Sequence, residues 1–103
     1  MPAIPILRDV VIAGTSFRDP IARQYAKIMP DGTLLKVEAE PTNAHDPLAV
    51  KVLTPDNMHL GYVPRESSGA IALLLTEGVA LRVEVTGTSK AGFKTITVSA
   101  DEA

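Results

Sequence analysis

VALRVEVTGTSKAGFKTITVSA, residues 79–100, is the stretch on which the fold class turns. Val79, Leu81, Val83 and Val85 alternate with Ala80, Arg82, Glu84 and Thr86, the period of two that sends successive side chains to opposite faces of a strand. Turn formers occupy residues 87–92, after which Ile96, Val98 and Ala100 oppose Phe93, Thr95, Thr97 and Ser99. Two alternating segments around a glycine-bearing turn predict paired strands, with Phe93 on the polar face of the last one.

Upstream, residues 65–76 carry Ile71, Leu74 and Leu75 on one face, with Pro64 near the start and Gly78 just past the end, which predicts a helix. Before it, Pro55, Asp56 and Asn57 separate strands over 48–53 and 58–63 that pair back on one another. Leu35, Val37 and Ala39 alternate with Lys36, Glu38 and Glu40 in a half-buried strand over 33–40. The following segment, 40–47, has two prolines together with Asn43 and Asp46, whose side chains bond their own backbone, and reads as a structured loop. Over 20–28 the spacing predicts a short amphipathic helix with Ile21, Tyr25 and Ile28 inward, Asp19 as N-cap and Pro20 at the first helical position. Residues 6–14 form a β-branched run that stops at Gly14, a first strand entering a turn.

About six strands interrupted by two helices exclude a doubly wound parallel sheet. The expected fold is mainly β (α+β), a small, partly open six-stranded antiparallel barrel of oligonucleotide-binding (OB-like) type with two short helices. One domain is expected over residues 1–103, with its core at about 6–100.

Composition narrows the function. Without cysteine there is no disulfide, thiolate zinc site or thiol nucleophile, which fits a reducing compartment. The first residues show no basic segment followed by an apolar run, and no apolar run approaches the roughly 20 residues of a membrane span. A cytoplasmic (nucleoid-associated) or nuclear setting is therefore expected, with no membrane partner. A net charge of −2 argues against coating DNA by charge alone. Arg18, Lys51, Lys90 and Lys94 supply at most a local positive rim. No phosphate-cradling glycine loop and no Gly-x-Ser-x-Gly elbow occurs, and Ser67 and Ser68 read as helix-start residues. His45 and His59 with Asp46 or Asp56 match no standard metal-ligand spacing. No enzyme activity, no cofactor and no metal are expected.

VIAGTSFR (11–18), EPTNAHDPLAVKV (40–52) and LGYVPRE (60–66), in this order and spacing, resemble the HIRAN domain family over about residues 6–100. The middle motif, which joins a rigid loop to a buried strand, is the specific one. The resemblance implies a small barrel related to the oligonucleotide-binding folds. Such domains are found beside helicase-like ATPases or nucleases in DNA repair and also as stand-alone chains. The family's best-understood member grips the free 3′ end of single-stranded DNA during remodelling of stalled replication forks. Carried over by position, Phe17 corresponds to an aromatic that stacks on a terminal base, and His45 to a second aromatic position beside it. Asp46 corresponds to a carboxylate that accepts a hydrogen bond from the 3′ hydroxyl, and Asn43 fixes its loop. Arg65 stands for a phosphate-contacting lysine, Tyr62 for a pocket histidine, and Phe93 lies near a further stacking aromatic. Ser16 stands where that member has an arginine, and His45 replaces a tyrosine.

Physical chemistry independently suits part of this scheme, because flat side chains stack on any base at roughly 1–3 kcal/mol each. A half-buried carboxylate accepts a hydroxyl but repels a phosphate, which would tell an end from a continuous strand. Ser16, Phe17, Arg18, Asn43, His45, Asp46, Tyr62, Arg65, Phe93 and Lys94 are thus the candidate DNA-binding residues. They also have plainer readings: Phe17 as a plug in the barrel end, Tyr62 as core, Asn43 and Asp46 as loop-shaping residues, the lysines as solvated charges. The expected function is a non-catalytic module for single-stranded DNA, at a 3′-hydroxyl end, positioning a separate repair or replication enzyme. The alternative is a protein-interaction module that docks a partner on an exposed strand edge.

Overall fold

In the computed structural model the structure describes residues 3–101. The strands are β1 (Ala3–Val11), β2 (Leu34–Ala39), β3 (Val50–Leu53), β4 (His59–Tyr62), β5 (Leu81–Thr88) and β6 (Lys94–Asp101). The helices are α1 (Pro20–Ile28) and α2 (Arg65–Thr76), and a single 3-10 turn covers Thr15–Phe17. All pairings are antiparallel, in the order β1-β6-β5-β2-β3-β4. The β5–β6 hairpin predicted by the 79–100 stretch forms, with Val83 opposite Val98 and Val85 opposite Ile96, all four buried.

The two edge strands meet. Beyond the end of β1, Ala13 and Tyr62 exchange two backbone N–H···O bonds, each 2.8 Å long, so the sheet curls into a partly open barrel closed at one end. Gly61 makes this closure possible. A Cβ there would fall on the Ala13 carbonyl oxygen and 2.6 Å from Ile12 Cγ2, and its φ of 155° is one that glycine alone adopts readily. Thr15 Oγ1 donates to the Leu60 carbonyl at 2.9 Å and pins the same seam from the next turn.

The core gathers Ile12, Met29, Val50, Val52, Leu60 and Ile71 with the β5–β6 valines and isoleucine. Helix α2 covers β2 and β3 and turns Ile71 and Ala72 inward, with Leu74 and Leu75 partly buried as expected. It ends where Gly78, at φ 79°, donates to the Leu75 carbonyl while Val79 N–H reaches Leu74 O.

Three expectations are corrected. The first strand runs over 3–11 rather than 6–14 and contains Pro5, which an edge strand tolerates because no ladder hydrogen bond is required on its outer side. Its register shifts at Asp9, where φ is 53° and the backbone N–H turns to Thr97 Oγ1. Helix α1 has the expected bounds but a rotated buried face: Ala22 and Ala26 are buried and Tyr25 packs partly on the core as expected, whereas Ile21 and Ile28 are 73% and 72% exposed. The helix packs on β4, with the small Ala22 and Ala26 as its buried residues. Asp19 occupies its N-cap position without a side-chain cap bond, serving instead through its carbonyl, which accepts from Arg23 N–H. Finally, Phe93 is not on a strand face. It closes the β5–β6 turn, with its backbone N–H on Ser89 Oγ and its carbonyl accepting from Ser89 N–H.

Candidate functional site

The 40–49 loop is built from its own side chains. Asn43 Oδ1 accepts the backbone N–H groups of His45 (2.9 Å) and Asp46 (3.0 Å), and Asp46 Oδ1 accepts that of Leu48 (2.9 Å). Asn and Asp favour this arrangement because a short polar side chain reaches a backbone donor two or three residues on. Asp46 Oδ2 has no hydrogen-bond partner among the described residues and lies 3.9 Å from Arg65 Nε, at the start of α2. The Asp46 side chain is 20% exposed and that of Arg65 82%, so the acid is set in its loop while the arginine projects into solvent.

Beneath the loop lies Glu40, which the sequence analysis did not single out. Its Oε1 accepts from Asn43 Nδ2 at 2.7 Å and from the Tyr62 hydroxyl at 2.9 Å, and Oε2 lies 3.8 Å from Lys51 Nζ. The Asn43 hydrogen bond, ahead of those from Tyr62 and the Lys51 charge, holds the Glu40 carboxyl below its ordinary range against the opposing effect of burial. The Tyr62 hydroxyl is pushed up, by burial first and then by donating to Glu40. Lys51, expected in the positive rim, is instead tied to Glu38 and Glu40.

On the other side of Tyr62 sits a second unforeseen element. His59 Nδ1 is 2.8 Å from Arg18 Nη1 and His59 Nε2 is 2.9 Å from the Gly61 carbonyl. A guanidinium only donates and a carbonyl only accepts, so Nδ1 is bare and Nε2 carries the proton: the ring is neutral. Burial and the Arg18 charge accordingly push the His59 pKa down. The His59 ring meets Tyr62 edge-on at 4.8 Å, and the Arg18 guanidinium lies 5.5 Å from the Tyr62 ring centre. Arg18 Nε is buried with no hydrogen-bond partner among the described residues.

Ala13, Arg18, Asn43, His45, Asp46 and Arg65, with Tyr62 between them, line one cleft of about 370 Å³, and Glu40 and His59 support it from outside its lining. Its wall includes the Ala13–Tyr62 seam, so the concavity exists because the barrel closes here. Phe17 is not in it. That side chain is 83% exposed, which rules out the barrel-plug reading, and it stands over an adjoining saddle shared with Ala13, Ser16 and Phe93. Phe93 is 46% exposed, and with Ser16 and Lys94 it borders a third depression on the far side of the saddle. Nine of the ten candidates therefore fall into two groups, an acid-bearing cleft and an aromatic saddle, joined through Ala13, and Lys94 lines only the third depression.

Among the described residues no three His, Asp or Glu side chains gather as a metal site, and no helix is long and apolar enough to cross a membrane. Comparison with known proteins follows the same lines. Residues 8–99 match the model of the HIRAN domain family. In fold the chain is similar to a protein from Lactobacillus plantarum, with 22% identity and a TM-score of 0.79 over 98% of each chain. It is also similar to the HIRAN domain of human HLTF, with 17% identity and a TM-score of 0.71 over 95% of this chain and 77% of that one. No curated protein matches the sequence significantly.

Proposed function

The chain belongs to the HIRAN domain family, and we propose on that footing that it is a non-catalytic nucleic-acid-binding module whose ligand is single-stranded DNA held at a 3′-hydroxyl end. One observation carries this reading: the cleft that holds Asp46 opens beside an exposed aromatic saddle at the barrel seam. Phe17 and Phe93 offer flat faces for the terminal bases, at about 1–3 kcal/mol per stacked base. Asp46 Oδ2, without a hydrogen-bond partner among the described residues, is an acceptor for a hydroxyl. A phosphate in its place would bring two negative charges together in a half-buried site, so a blocked end is disfavoured. Arg65, exposed at the cleft rim, would reach the phosphate between the last two nucleotides. A module of this kind would hold an end for a separate repair or replication enzyme, such as a helicase-like ATPase or a nuclease, in a cytoplasmic, nucleoid-associated or nuclear setting.

Fluorescence anisotropy with labelled oligonucleotides tests the reading. Binding of a 3′-hydroxyl strand, with at least tenfold weaker binding of a 3′-phosphate strand and of blunt duplex, is expected, since tenfold is about 1.4 kcal/mol. Equal binding of all three would overturn end recognition. Absence of binding to any would leave the protein-interaction alternative, although Pro5 and the Asp9 bulge blunt the exposed β1 edge on which that alternative relies.

A further inference from the structure

Beyond the saddle lies a groove of about 350 Å³ between α1 and the β5–β6 turn. Arg23 and Lys27 on α1 face Lys94 at the start of β6 across it, and no aspartate or glutamate lines it. In a chain of net charge −2 this is a local excess of three positive charges. None of the three forms a salt bridge among the described residues, whose ion pairs involve Lys51 and Arg65 instead. Two are held in place by neutral acceptors: Arg23 Nη1 donates to the Ser16 carbonyl at 3.4 Å and Lys94 Nζ to Thr88 Oγ1 at 3.1 Å. The groove is continuous with the candidate site. Ala13 borders both cleft and saddle, and Ser16 and Phe93 border both saddle and groove.

We propose that this groove is a second nucleic-acid subsite, which takes the sugar–phosphate backbone of the nucleotides upstream of the terminal ones. The inference rests on the single-strand reading above and extends it. The end is inspected in a cleft where one acid, Asp46, stands among Arg18 and Arg65, whereas the strand that follows is carried over Phe93 into a groove whose charged lining residues are all cations. Such a division explains how a mildly acidic protein holds a polyanion: attraction is confined to the place where phosphates must lie. It also gives Lys94, a candidate from the sequence, a place on the upstream track, and adds Arg23 and Lys27, which the sequence analysis did not single out.

The test compares thymidine oligonucleotides of two, four and six residues with free 3′ hydroxyls, across a salt series, for the natural protein and the double variant Arg23→Gln/Lys27→Gln. Both side chains are exposed, so the variant keeps the fold, which circular dichroism verifies. Affinity is expected to rise at least about tenfold from dimer to hexamer, with log K against log salt steepening by about 0.7 for each added phosphate contact. The variant should lose this gain and keep the dimer affinity. An affinity indifferent to length, or a gain that survives in the variant, overturns the second subsite while leaving end recognition intact. Conversely, a length gain lost in the variant, combined with no preference for the 3′ hydroxyl, sinks the end reading and upholds the groove.

Discussion

Phe17, at the end of the 3-10 turn, is where binding and stability can be told apart. With 83% of its surface exposed, its truncation to alanine should leave unfolding free energy within about 0.5 kcal/mol of the natural protein. The same change should cost about 1–3 kcal/mol of single-strand affinity. Urea unfolding and anisotropy on one preparation separate the two; unchanged affinity would remove Phe17 from the interface. Residue roles were legible where they act over short range. Asn43 and Asp46 shape their loop by bonding donors two or three residues away, and their types announce it. Glu40 and His59 were not legible, because Glu40 meets Tyr62 across 22 residues and His59 meets Arg18 across 41. The strand alternation placed Glu40 on a polar face, and nothing local says that the face is covered by a tyrosine from another strand.

At the scale of elements, the contrast between two glycines isolates the seam. Gly61→Ala would force the Ala13 carbonyl and Ile12 away from β4, and should destabilise the protein by about 2 kcal/mol or more while weakening single-strand binding. Gly69→Ala, inside α2, places its new methyl at ordinary contact from Leu48 and should raise stability by up to about 1 kcal/mol with binding unchanged. Chemical denaturation of the two variants decides; a harmless Gly61→Ala would mean that the seam is not under close-packing constraint. Helix α1 shows where pattern reading fails. Hydrophobic periodicity favours the bulkiest residues, Ile21, Tyr25 and Ile28, yet of these only Tyr25 packs on the core, and the fully buried positions are the small Ala22 and Ala26. Bounds survived because Pro20 marks its start through backbone chemistry alone. The β5–β6 hairpin was legible for the same reason: a period of two needs no knowledge of the partner strand.

For the whole molecule, acid should act through the groups beside the cleft. His59 is neutral in the fold with its pKa lowered, whereas in the unfolded chain it titrates near about 6.5. Below that pH the unfolded state binds more protons, so stability falls as pH drops from about 6.5 toward the folded-state value. Glu40, also lowered, adds a second loss at more acid pH, as its carboxylate is protonated and releases Asn43 and Tyr62. Equilibrium unfolding measured from pH 8 to 4 should therefore be flat at first and then decline, and His59→Gln should flatten the first decline. An unchanged profile in that variant would show that the neutral ring is not linked to folding.

Six strands are joined into a ring by a single pair of main-chain bonds between Ala13 and Tyr62, and both residues also border the cleft. A guest seated there straddles the junction like a clasp across a bracelet. If the cleft takes a strand end, springing the ring open would mean first evicting the guest, and grip and circumference would be one equilibrium read from two sides.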